Sequence, residues 1–197
     1  MGWLLLFAAL LAYALPWLIG SGGSLSPGAY DLAEWVSLHP AARYGQPPLL
    51  PSFLLRFSLA CLALIFAVAP LHIPRRVRGL GILLFTIALL PPFEFFTIYR
   101  DDPNYQQQFS LALVTLIGGG IGLSRFTDRW RLPLTALLTG MAVLTSIAGF
   151  SQSYILFQEL NIRFHLGAGV VIFVLANVGV CIGIVGILLQ RINHKKG

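Results

Sequence analysis

Two residues with charged side chains stand inside otherwise apolar stretches, Arg56 and Glu94. A charge at the centre of a membrane-spanning helix costs about 2.5–3.5 kcal/mol even on the mildest scales, so each needs a partner or a purpose. Arg56 lies five residues into one apolar stretch, and Glu94 about five residues short of the end of the next. At 1.5 Å per residue both are expected roughly 7–8 Å below the same interface. The two stretches are joined by a short connection and are expected to be antiparallel neighbours. The spacing therefore predicts an Arg56–Glu94 ion pair, either as a staple between helices or as part of a polar pocket. Such a pocket could take a proton, a cation or a quinone headgroup. Pro91-Pro92 just before Glu94 remove helix donors, so the stretch is expected to kink or break there.

Other chemistry finds little footing. The histidines, His39, His72, His165 and His194, do not pair at one depth as axial haem ligands must. His39 and His165 share a side, but two histidines without a firm third ligand make no metal site. Cys61 and Cys181 fall at different depths and read as small packing residues. Asp101-Asp102 precedes Pro103-Asn104 and reads as a turn. The chain carries no phosphate-binding glycine loop with lysine, no nucleophile elbow and no zinc-protease motif. No catalytic residue, metal or resident cofactor is expected, although the polar pocket leaves room for a bound lipid or quinone.

The elements that must position these residues follow from composition. Of 197 residues 57% are hydrophobic and 10% charged, and mean hydropathy is +0.81. Soluble domains carry about 25% charged residues. Hydrocarbon is therefore expected to surround much of the chain, as a single integral membrane domain over 1–197. Stretches of about 20 continuously apolar residues suit spanning helices and exclude alternating strands. Six are expected, at about 3–20, 51–71, 79–99, 109–124, 132–150 and 164–190. The first resembles a signal peptide at Ala12-Tyr13-Ala14 but lacks a basic leader, so it is read as a retained span. The fold class is thus all-α, a polytopic transmembrane bundle.

Orientation comes from the arginines and lysines. Arg75, Arg76, Arg78, Arg125, Arg129, Arg131, Arg191, Lys195 and Lys196 fall on one side, against Arg43, Arg56, Arg100 and Arg163 on the other. This excess predicts cytoplasmic even-numbered loops with both termini cytoplasmic. It also accounts for the net charge of +6 without invoking nucleic acid. The first external loop, 21–50, begins with the flexible Ser21-Gly22-Gly23-Ser24. It then predicts a short helix in which Asp31 and Glu34 mark the start and Leu32, Trp35 and Val36 form an apolar face. That helix is expected to lie on the outer leaflet or against a partner.

Glycines mark the packing seams. Gly118, Gly119 and Gly120 line the end of span four, and Gly179-x-x-x-Gly183 recurs in span six, where Asn177 needs a hydrogen-bond partner. Bare backbone lets helices approach closely in lipid. These features predict a non-catalytic subunit packed within a larger assembly of a bacterial inner membrane, such as a respiratory or photosynthetic one. Its partners are the bilayer and other membrane subunits. The alternatives are a small transporter or channel with its site near Glu94 and Arg56, and a membrane-embedded lipid-processing enzyme.

Overall fold

The computed structural model describes residues 2–21, 25–70, 73–159 and 164–193. His72, Arg163, His194, Lys195, Lys196 and loop residues 22–24 lie outside these. Among the described residues the chain is all-α apart from one short ladder. Its helices are α1 (Gly2–Ala14), α2 (Ala29–Leu38), α3 (Pro40–Arg43), α4 (Leu50–Val68), α5 (Arg75–Leu89), α6 (Pro103–Leu123), α7 (Arg131–Glu159) and α8 (Ala168–Asn193). Strands β1 (Leu18–Gly20) and β2 (Phe164–Leu166) complete it.

Local chemistry sets most of these boundaries. Pro51 stands in the first turn of α4, where its missing N–H costs nothing. Pro74 precedes α5, and Pro91-Pro92 follow its end. At α6 the Asp102 carboxylate accepts from the Asn104 N–H at 2.8 Å and Pro103 fills the first helical position. In α2 the start lies at Gly28. Asp31 sits inside the first turn and reaches back to the Gly28 N–H at 3.3 Å. Glu34 is therefore no capping residue, and its carboxylate is left for other work.

Side-chain contacts give the helix directions. Built as alanine, Gly119 would place its Cβ 2.5 Å from Ile82, and Gly79 would place its Cβ 3.7 Å from Leu123, so α5 and α6 are antiparallel. Gly118 meets Leu64 and Gly122 meets Val68, so α4 and α6 are parallel. Gly149 meets Leu54 and Leu55 while Leu134 and Leu138 pack on Ala67 and Val68, which makes α7 antiparallel to α4. Gly179 meets Leu5 and Gly169 meets Trp17, which makes α8 antiparallel to α1. α4, α5, α6 and α7 thus alternate in direction, and α1 and α8 run opposite to each other. The first turns of α5 and α7, which carry Arg75, Arg78 and Arg131, gather at the end where α4 finishes.

Among the described residues three helices, α4, α7 and α8, are long and apolar enough to cross a membrane. Two of the other expected spans are interrupted. Expected span 3–20 is helical only to Ala14, because Pro16 cannot continue the backbone ladder. The chain then extends, and Leu18, Ile19 and Gly20 pair antiparallel with Leu166, His165 and Phe164. Strands had been excluded there. The ladder satisfies backbone groups that would otherwise be orphaned beneath a packed aromatic cluster. In that cluster Trp17 is fully buried, its ring 5.5 Å from Phe173 and 6.1 Å from Tyr13. Its indole N–H donates to the Ala12 carbonyl at 2.9 Å. Expected span 79–99 stops at Leu89, and Phe93–Phe96 form a separate 3-10 turn.

The external helix is also corrected. The apolar face of α2 packs into the bundle, where Leu32, Ala33 and Val36 are buried in the main core, while Asp31 and Leu38 stay exposed. Trp35 leaves that face and is exposed, its ring 6.2 Å from Phe157. Ser52 on α4 ties α2 down by donating to the Ala33 carbonyl at 2.9 Å.

Candidate functional site

The site is assembled around Arg56. Six residues past the start of α4, its side chain is 0% exposed because α2 covers it from one side and α6 from the other. Its Nη2 donates to Glu34 Oε1 at 2.8 Å, and its Nη1 to Asn104 Oδ1 at 2.6 Å. Gln107 Oε1 lies 3.5 Å from the same Nη1, and Gln108 Nε2 donates to Glu34 Oε1 at 3.1 Å. Asn104, Gln107 and Gln108 fall at i, i+3 and i+4, the spacing that sets one face of a helix. One guanidinium therefore ties α2, α4 and α6 together. Arg56 Nε is buried and has no hydrogen-bond partner among the described residues.

Polar contacts around the hub hold its parts in place. Asp102, which caps α6, also accepts from Arg43 Nη2 at 3.2 Å. Arg43 Nε donates to the Ser37 carbonyl at 2.9 Å, and Ser37 Oγ to the Glu34 carbonyl at 2.7 Å. Tyr13 from α1 donates to the Leu55 carbonyl at 3.0 Å, next to Arg56. Burial first, and the Glu34 charge second, raise the Tyr30 phenol above its usual range. Tyr30 is thereby kept neutral and able to donate. Water reaches Glu34, whose side chain is 37% exposed, but not Arg56. Asp101-Asp102 thus form no paired-acid site, since Asp102 is taken by the cap and by Arg43.

The structure does not bring Arg56 and Glu94 together. With α5 ending at Leu89, Pro91-Pro92 turn the chain and the 3-10 segment presents Glu94 at the surface. Its carbonyl accepts from the Ile98 and Tyr99 N–H groups at 2.8 and 3.0 Å. The helix breaks at Pro91-Pro92, one of the two outcomes expected there, and the break takes Glu94 out of the depth count that paired it with Arg56. Sequence reasoning also missed Glu34, Asn104, Gln107 and Gln108. The polar face of Asn104, Gln107 and Gln108 was a legible signal, but its target depends on α2 folding back into the bundle.

No known family, curated protein or solved structure matches this chain.

The predicted packing residues divide. Gly118 and Gly119 lie against Leu64 and Ile82, whereas nothing lies within 4 Å of a Cβ built on Gly120. A Cβ built on Gly179 lies 3.2 Å from Leu5, whereas among the described residues nothing lies within 4 Å of one built on Gly183. Asn177 is buried and donates to the Phe173 carbonyl of its own helix at 2.9 Å. His39 Nδ1 accepts from the Ala41 N–H at 3.3 Å, and His165 lies in β2. Among the described residues no group of three His, Cys, Asp or Glu side chains could hold a metal. An apolar groove of about 240 Å³ opens between α2 and α7, lined by Trp35, Leu38, His39, Leu156 and Phe157 among others.

Proposed function

We propose that this chain is a non-catalytic, six-crossing subunit of a larger bacterial inner-membrane assembly, with both termini cytoplasmic. The observation that carries the reading is the outer face of α8. Val171, Leu175, Val178, Ile182 and Val185 are all exposed there. They recur at alternating steps of four and three residues, the repeat by which one helix packs along another. Gly183 and Gly186 stand beside this ridge, and among the described residues nothing lies within 4 Å of a built Cβ. Bare backbone beside an apolar ridge suits close approach by a second helix in lipid. The ion pair supports the same reading, since Arg56 is committed to holding α2, α4 and α6.

The alternating directions of the helices support a reading of six crossings. α1 and α5, with 13 and 15 residues, rise only about 20–22 Å. They cross where the extended segment 18–20 and the 3-10 turn 93–96 complete the span, in a locally thinned bilayer. Any bound lipid or quinone tail would lie in the groove beside Trp35.

Purification from native membranes in mild detergent tests the assembly. A partner, or a second copy, should accompany the chain at fixed stoichiometry. Gly183→Ile should weaken that association several-fold while leaving the isolated fold intact, because the position is open. Migration as a lone monomer would contradict the reading.

A second reading, a small transporter or channel, moves its site from Glu94 to Glu34. One observation favours it: a water-accessible carboxylate touches a buried guanidinium whose Nε is unpartnered.

A further inference from the structure

We infer that the arginine-rich end of the bundle binds the headgroups of anionic phospholipids through Arg75, Arg76, Arg125 and Arg129. The inference rests on the membrane reading above. It begins with how firmly this end is built. Arg78 is buried, and its Nη1 donates to the Ala67 and Ala69 carbonyls at 3.1 and 2.9 Å, closing the end of α4. The first turn of α5 lies against the last turn of α6 through Gly79 and Leu123. The 3-10 turn Arg125–Trp130 follows at once. It is pinned by Thr127, whose buried hydroxyl sits 2.9 Å from both the Gly122 and the Ser124 carbonyls.

With Thr127 inward, Arg125, Phe126, Arg129 and Trp130 are exposed, as are Arg75 and Arg76. Asp128, the acid of this turn, is engaged by Arg131 at 2.7 Å. Among the described residues none of Arg75, Arg76, Arg125 and Arg129 has a carboxylate within ion-pair distance. The Arg129 guanidinium lies 5.4 Å from the centre of the Trp130 ring. Arg75 and Arg76 occupy the first turn of α5, where the helix dipole disfavours cations. Helix stability therefore does not call for them, and an external anion does.

The exposed rings decide which anion. Guanidinium forks match phosphate oxygens in pairs. A free phosphate, however, offers nothing to Phe126, which is 84% exposed. A phospholipid supplies both parts, a phosphate for the arginines and acyl chain at the level of the rings, where aromatic side chains favour the membrane boundary.

Native mass spectrometry of the detergent-purified protein, with phosphatidylglycerol and phosphatidylcholine present equally, tests this. The anionic lipid should be retained at least about fivefold over the zwitterionic one, the factor expected for even one arginine at such a surface. R75Q/R76Q/R125Q/R129Q should bring the ratio near unity with the melting temperature unchanged. Equal binding by the unmodified chain, a preference that survives the four substitutions, or full displacement by millimolar inorganic phosphate would overturn it. A chain that resists carbonate extraction yet shows no preference defeats this inference alone. Release by carbonate defeats the membrane reading as well.

Discussion

Glu34→Ala lowers the stability of the bundle by about 1–3 kcal/mol, the cost of leaving a buried donor short of a partner, and does more harm than Arg56→Met. The asymmetry comes from solvent. Arg56 is 0% exposed and keeps only neutral amide oxygens once Glu34 is gone, so its charge stays in a low-dielectric interior. Glu34 is 37% exposed, and when Arg56 becomes an apolar side chain of similar length the carboxylate can hydrate. Replacing both members with apolar groups is often neutral in such pairs. The double variant E34A/R56M should therefore recover much of what E34A loses. Reversible unfolding in mixed micelles, followed by tryptophan fluorescence, measures all three. An E34A chain no weaker than R56M would mean that the pair is not the clamp described.

The second large effect is at Gly167. A methyl group there would lie 2.6 Å from the Pro16 carbonyl carbon and 2.9 Å from that of Trp17. These are backbone atoms fixed by two hydrogen bonds, Gly167 N–H to Trp17 O at 2.8 Å and Gly169 N–H to Pro16 O at 2.9 Å. No rotamer change relieves the clash, so β1 and β2 must separate, and Trp17 loses its cover. Gly167→Ala should cost about 3 kcal/mol, the upper end for overpacking. Gly183→Ala should stay within about 0.5 kcal/mol, as substitutions in open positions do. A thermal unfolding series of the two variants, in which G167A proved as mild as G183A, would remove the ladder from the list of structural constraints.

These two sites show where sequence reasoning reached and where it stopped. Continuous apolar runs placed α4, α7 and α8 because hydropathy is a local property, recorded in each residue irrespective of its neighbours. Arg56 stood out for the same reason, since a charge among leucines is costly wherever the chain goes. Its partner could not be read that way. Glu34 lies in a stretch that looks like a surface helix, and only contacts with α4 turn one face of α2 toward Arg56. The β1–β2 ladder joins residues 18–20 to residues 164–166, and short strands within apolar runs leave no periodic signature. Gly179 and Gly183 share one motif but point to different surroundings. Spacing alone does not tell a closed seam from an open one.

The proposed arrangement places the Arg56 hub at the outer end of the bundle and the arginine-rich loops in the cytoplasm. Tyr44, 87% exposed, and Phe126, 84% exposed, mark these two ends. Each can be replaced singly by cysteine in a chain whose Cys61 and Cys181 are alanine. Treated with a membrane-impermeant maleimide, intact cells should label position 44 at once and position 126 only after permeabilisation. Equal labelling of both positions in intact cells would place the two ends on one side of the bilayer and contradict the account.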